Sequence, residues 1–274
     1  MLVKNVSVAY RNGTIGLQEV SFELPSSSIS ALVGVNGAGK STLFKTLMGF
    51  VPASSGLITV NGLVVSKALK KNLISYVPQS EDVDWSFPVL VEDVVMMGRY
   101  GRMNWLRVPD KDDYQAVSTA LDRVDMFDLR KRQIGELSGG QKKRVFLARA
   151  LAQNSKLVLL DEPFTGVDVK TETAIIDVLR ELKSEGNLML VATHNLGAVP
   201  QFCDHTVLLK QKVLAFGQTK NIFTRENLEK AFGGVLRQFV LEGTDLHSDQ
   251  DDRKVTVISD DERPFVVYSD EKTK

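Results

Sequence analysis

The apolar positions of this chain fall into short runs separated by turn signals, and their spacing changes along the sequence. Residues 28–33 read as a buried strand ending at Gly34. Asn61-Gly62 separates the apolar stretches 57–60 and 63–65, a strong signal for a two-residue hairpin. Residues 111–126 switch to the helical period: Tyr114, Val117, Leu121 and Val124 share one face, and Asp110 stands where an N-cap belongs. Residues 157–160 are apolar throughout, as in a strand covered on both faces of a parallel sheet. A helix over 171–184 stopping at Gly186 follows, then a buried strand over 188–192. The first five residues also alternate like a strand. Strands alternating with helices predict an α/β fold with a largely parallel sheet, and no internal repeat is visible.

Composition narrows the classes. The 274 residues carry 34 basic and 34 acidic side chains, 43% hydrophobic and 25% charged overall. That excludes a disordered or collagenous chain and offers no bulk basicity for binding nucleic acid, so no nucleic acid partner is expected. One cysteine, Cys203, cannot form an internal disulfide and fits a reducing compartment. The longest uncharged stretch, 46–66, is broken by Pro52, Ser54-Ser55-Gly56 and Asn61-Gly62, so no spanning segment is expected. The N-terminus lacks a signal-peptide pattern. The neutrality is an average: ten acidic and five basic residues lie in 242–274, net −5, leaving net +5 on 1–241. Composition favours a loosely ordered acidic tail over 242–274, with the apolar runs 255–258 and 265–268 leaving a late hairpin or added strand open.

Chemistry enters at residues 34–41, Gly-Val-Asn-Gly-Ala-Gly-Lys-Ser, which fit the phosphate-loop pattern with a strand before them and a helix from Lys40 to Met48 after them. Glycines let backbone N–H groups turn onto phosphate oxygens, and the helix N-terminus adds positive potential. Gly34, Asn36, Gly37, Ala38, Gly39, Lys40, Ser41 and Thr42 are therefore candidate nucleotide-binding residues. Lys40 suits the β- and γ-phosphates, and the Ser41 hydroxyl suits Mg²⁺. Asp161-Glu162 follows the apolar run 157–160, so both carboxylates emerge at the carboxyl edge of the sheet, where ligands bind in open α/β folds. Asp161 suits an Mg²⁺-associated role, and Glu162 could polarise a water for in-line attack on the γ-phosphate.

A second anion-binding element, Leu137-Ser138-Gly139-Gly140-Gln141, precedes a helix carrying Arg144, Leu147, Arg149 and Leu151. Ser138, Gly139, Gly140 and Gln141 make sense if they serve a nucleotide held by another copy. With this motif the chain resembles the ATPase subunits of ATP-binding-cassette transporters over roughly 1–241. The resemblance implies a P-loop NTPase, RecA-like core with an N-terminal antiparallel β subdomain and a helical signature subdomain inserted at about 80–140. It implies that Tyr10 stacks on adenine, that Gln79 contacts Mg²⁺ and couples the site to a permease, that Asp168 is the D-loop aspartate, and that His194 is the switch histidine at the γ-phosphate. Glu162, His194 and Gln79 are then the catalytic set, Ser41, Gln79 and Asp161 the metal set, and ATP and Mg²⁺ the cofactors. Val167 stands where the family often has Leu.

The same resemblance implies two chains paired head to tail, a homodimer burying two ATP molecules, attached to integral membrane permease subunits at the cytoplasmic face of the cell membrane. Residues 82–88 (Asp-Val-Asp-Trp-Ser-Phe-Pro), 91–99 (Val-Glu-Asp-Val-Val-Met-Met-Gly-Arg), Gly135-Glu136 and 163–170 resemble the subgroup importing manganese, iron or zinc, which also implies an extracytoplasmic metal-binding protein upstream. Two other readings compete: a siderophore, haem or cobalamin importer, and a soluble cassette ATPase outside transport. Soluble cassettes normally carry a long coiled-coil insert or a second cassette, and the sequence shows neither.

Overall fold

Period-two segments build the first layer. Strands β1 (Leu2–Ala9) and β2 (Ile15–Glu23) pair antiparallel. The computed structural model describes residues 1–79, 87–233, 237–241, 255–259 and 265–268. The chain then lays down β3 (Ser28–Val33), buried at every position, and α1 (Lys40–Leu47). Next come β4 (Ser55–Val60) and β5 (Leu63–Val64), joined at Asn61-Gly62 with φ +50° and +74°, the backbone of a type I′ hairpin. Val65 was expected to extend β5; it instead opens α2 (Val65–Lys70). The order β2-β1-β4-β5 makes a four-stranded antiparallel sheet.

After β6 (Ile74–Val77) come three helices packed on one another: α3 (Val91–Met96), α4 (Lys111–Arg123) and α5 (Gly139–Ala152). The remaining core elements are β7 (Leu157–Asp161), α6 (Val169–Ser184), β8 (Leu188–Thr193), α7 (Val199–Phe202), β9 (His205–Lys210), β10 (Lys212–Gln218), α8 (Thr219–Ile222) and α9 (Arg225–Phe232). The order β10-β9-β3-β8-β7-β6 gives a six-stranded sheet, parallel except for β10 at its edge. β7 shows why its sequence is apolar without alternation. Leu157 and Leu159 enter the core shared with α1 and the antiparallel sheet, while Val158 and Leu160 enter the core shared with the helices.

The structure departs from the periodicity at several places. Tyr114 is exposed on α4, and Ala120 and Asp113 are buried in its place. Helix α6 begins at Val169, two residues before the expected start, because Asp168 supplies its cap. Of the stretch 82–88, residues 82–86 lie outside the described residues; Phe87 is 65% exposed, while α3 buries Val91, Val94, Val95 and Met96. The tail also differs from the composition reading. β11 (Arg237–Leu241), β12 (Val255–Ser259) and β13 (Phe265–Tyr268) form a three-stranded antiparallel sheet, so the division expected at Leu241 falls inside a paired unit. Val, Ile, Thr, Phe and Tyr favour strands, and backbone pairing is blind to the acidic residues between the runs.

Burying Asp113 is affordable because its carboxylate is fully used. It accepts from Arg99 Nε at 2.8 Å and from the backbone N–H of Asp110 at 3.2 Å, while Asp110 accepts from the Asp113 N–H at 3.0 Å. Arg99 also donates to the Ala152 carbonyl at 2.9 Å, so one ion pair ties α4 to the end of α5. Burial pushes the Asp113 carboxyl up; the Arg99 and Asp110 hydrogen bonds outweigh it and hold it below the usual range. Asp113→Ala should therefore cost about 3 kcal/mol in urea unfolding at neutral pH, the loss expected when a buried ion pair loses one partner. The contribution is present above the ordinary carboxylate range and lost as pH falls through the depressed folded value, so the variant's stability should fall less steeply in acid.

Candidate functional site

The parallel register brings four loops to one edge of the sheet. Val33 lies opposite Thr193, Asp161 opposite Ala192, and Val77 opposite Leu160. The residues that follow these strand ends are Gly34, His194, Glu162 and Gln79, so segments more than 150 residues apart in sequence become neighbours. These loops border a cleft of about 380 Å³ lined by Tyr10, residues 36–42, Gln79, Asp161, Glu162 and His194.

The loop from Gly34 to Gly39 leads into the N-terminus of α1. Gly39 has φ +102°, and a Cβ there would stand 2.6 Å from the Gly16 carbonyl oxygen, so only glycine serves at this crossing. Lys40 folds back over the loop, its Nζ donating to the Gly34 carbonyl at 2.5 Å and the Val35 carbonyl at 3.4 Å. Gly34 thus holds the lysine rather than lining the cleft. Burial pushes the Lys40 ammonium pKa down, opposed by the charges of Glu162 and Asp161. Tyr10 and Thr42 hydroxyls share a hydrogen bond of 3.0 Å across the cleft wall.

Opposite this loop sit two adjacent buried carboxylates, Asp161 and Glu162. Burial, then the Glu162 charge, pushes the Asp161 carboxyl up, against the Tyr76 hydroxyl donating at 3.4 Å and the Lys40 charge. His194 Nδ1 lies 2.8 Å from Glu162 Oε1. A carboxylate can only accept, so Nδ1 carries the hydrogen of this pair. Glu162 has φ +49°, a left-handed conformation uncommon for a non-glycine residue, and its N–H donates to the Ala192 carbonyl at 2.9 Å.

The remaining sequence-predicted residues lie elsewhere. Ser138 caps α5, accepting from the Gln141 N–H at 3.3 Å while Gln141 Oε1 accepts from the Ser138 N–H at 2.9 Å. Gly139 and Gly140 open that helix. Asp168 caps α6, accepting from the Thr171 N–H at 2.7 Å, and a Cβ on Gly140 would meet Thr171 Oγ1 at 3.1 Å. Ser138, Gly139, Gly140, Gln141 and Asp168 therefore share a second surface, and none of them borders the cleft. Three contributors escaped the sequence: Gly16, whose Cβ would collide with Thr42; Tyr76, two residues ahead of Pro78; and Gln211 at the β9–β10 turn, which also borders the cleft. Gln211 carries no motif; only the fold brings it there.

Comparison with known proteins follows the same lines. The ABC transporter family model matches residues 17–165. The chain is 61% identical over 272 residues to the Yersinia pestis chelated iron transport system membrane protein YfeB, covering 99% of this chain and 92% of that one. It is 56% identical over 233 residues to the Synechocystis manganese transport system ATP-binding protein MntA (85% of this chain, 90% of that one), and 44% identical over 232 residues to the Treponema pallidum zinc transport system ATP-binding protein TroB (85% and 86%). Among solved structures, an inward-facing transporter assigned to the metal-chelate ABC type superposes with TM-score 0.76 at 30% identity, covering 98% of this chain and 97% of that one.

The raised Asp161 carboxyl makes the cleft costly to fold. A carboxyl whose folded pKa lies above its unfolded value favours the protonated folded state, so stability falls as pH rises from the ordinary carboxylate range through the raised value. Asp161→Asn should raise the thermal midpoint of the nucleotide-free protein at neutral pH and remove that decline, as read by melting curves across pH.

Proposed function

The chain belongs to the ABC transporter family of ATPases, and on that premise we propose that it hydrolyses ATP to drive uptake of a divalent transition metal, manganese, iron or zinc, through a separate membrane permease. One observation carries the metal: relatives at 44–61% identity are transport proteins for manganese, zinc and chelated iron. The ATPase chemistry rests on the cleft, where the phosphate loop, Asp161, Glu162 and His194 face one another.

In this reading the backbone of residues 36–41 and the Lys40 ammonium hold the β- and γ-phosphates, and Tyr10 packs against the adenine. Glu162 takes the proton of a water whose oxygen attacks the γ-phosphorus; the bond from that phosphorus to the β-bridging oxygen breaks, giving ADP and phosphate. His194, hydrogen-bonded to Glu162 through Nδ1, fixes the carboxylate and offers Nε2 to the γ-phosphate side. Ser41, Gln79 and Asp161 line the same cleft with a hydroxyl, an amide and a carboxylate, a hard-oxygen donor set that fits Mg²⁺. Bound there, the ion would neutralise charge on the phosphates.

ABC ATPases function as dimers with membrane permease partners. The outward placement of Ser138, Gly139, Gly140 and Asp168 supports a head-to-tail homodimer in which these residues complete the partner's site. Among the described residues no helix is long and apolar enough to cross a membrane. In this reading the permease holds the chain at the cytoplasmic face of the cell membrane. Exposed Phe87 and Met97 offer apolar surface for a permease helix. An extracytoplasmic metal-binding protein delivers the metal to that permease. The likeness to a metal-chelate transporter favours one second reading, in which the metal crosses as a chelate.

Glu162→Gln should retain ATP binding and lower turnover at least about a hundredfold, measured as phosphate release beside nucleotide affinity; near-normal turnover would refute the role. The substrate is tested with vesicles carrying the reconstituted complex: ATP-dependent uptake of Mn²⁺, Fe²⁺ or Zn²⁺ is expected, whereas uptake of a chelate alone moves the assignment to the second reading.

A further inference from the structure

Glu162 is held in an uncommon backbone conformation, and hydrogen bonds inside its own loop do not account for its orientation. Its carbonyl accepts from the Thr165 N–H at 3.3 Å, closing a tight turn. The same carbonyl also accepts from the ammonium of Lys143 at 3.3 Å, and that ammonium donates in addition to the Thr165 carbonyl. Lys143 belongs to α5, the helix whose first turn carries Ser138, Gly139 and Gly140. Around its stem lies a cavity of about 250 Å³ bordered by Phe146, Leu147, Leu160, Pro163 and Ile175. Apolar walls weaken solvent competition for the ammonium and direct it to the two carbonyls.

We infer that Lys143 is a positioning residue for hydrolysis: it grips both ends of the 162–165 turn and keeps the Glu162 carboxylate aimed into the cleft. The geometry explains how. A residue at φ +49° relaxes toward negative φ unless its surroundings prevent it, and such a rotation would swing the carboxylate away from His194. The Ala192 carbonyl fixes the N–H side of Glu162 and Lys143 fixes its carbonyl side, so the peptide planes on both flanks are clamped. Lys143 donates to the backbone carbonyls of Glu162 and Thr165 and so acts through the backbone of Glu162. Because it rides on the signature helix, the aim of the catalytic carboxylate depends on where that helix sits. This inference rests on the proposed general-base role of Glu162.

The test compares Lys143→Met, Lys143→Arg and Glu162→Gln in the ATPase assembled with its permease, measuring kcat, KM for ATP, nucleotide affinity and thermal midpoint. Met fills the apolar channel but cannot donate, so Lys143→Met should lower kcat about tenfold or more, part of the full general-base contribution, with KM and nucleotide affinity within about twofold. Lys143→Arg restores a donor to both carbonyls and should recover most of that loss. Unchanged kcat in Lys143→Met overturns the proposal. So does a loss of kcat, affinity and thermal midpoint together, with no recovery in Lys143→Arg, since that pattern marks a fold support. Glu162→Gln separates the two levels: near-normal turnover in that variant sinks the general-base reading itself, whereas a dead Glu162→Gln with a fully active Lys143→Met sinks only the role of Lys143.

Discussion

The site depends on the register of the parallel sheet. A slip of one residue between β7 and β8 would turn Asp161 and Glu162 to the opposite faces and separate them from Lys40 and His194. Yet the strands involved are apolar on both faces, so hydrophobic patterning alone does not forbid the slip. Buried hydroxyl pairs add polar restraints to neighbouring elements. Ser75 on β6 and Ser155 just ahead of β7 share a hydrogen bond of 2.7 Å in the interior, and Thr206 on β9 pairs with Thr219 at 3.0 Å. Shifting β6 against β7, or β9 against α8, would break these pairs, and a buried hydroxyl left unsatisfied costs about 1–3 kcal/mol. A few polar pairs thus index strands that the hydrophobic effect merely collects.

Charge at the cleft runs against stability. Lys40 is pushed down and Asp161 up, which says that the fold buries ions it would rather leave in water. A polyanion with its cation exchanges these mismatched charges for matched ones, and the energy withheld in folding becomes available for binding and closure. The core on either side is apolar and continuous, so the tension stays local to the carboxyl edge.

Much of this was legible in the chain, and the exceptions have physical causes. Residues 34–41, Asp161-Glu162 and the signature peptide declare themselves because their chemistry demands particular residue types at fixed spacing. Tyr114 misled because a helical period cannot separate a buried aromatic from an exposed one when a capping aspartate competes for the interior. The runs 255–258 and 265–268 were visible as a possible hairpin, which β12 and β13 form; what the acidic composition obscured is their pairing with β11. Gln211, Gly16 and Lys143 could not be read at all: each matters through a neighbour distant in sequence, and a lysine on a helix ordinarily signals only a solvated face. The fold class and the cleft were therefore accessible, while the supports that hold the cleft in shape were not.

The outward-facing signature surface carries a kinetic consequence. In the proposed head-to-tail pair each chain holds half of each composite site, so a lone chain would be idle and turnover in free solution would scale with the square of its concentration. Fixing two copies on one permease replaces that dependence with a constant local concentration set by the scaffold. Dilution then ceases to matter, and surplus subunits adrift from their permease spend little ATP. In the proposed dimer the split site would act as a safeguard against futile hydrolysis, written into where one helix begins.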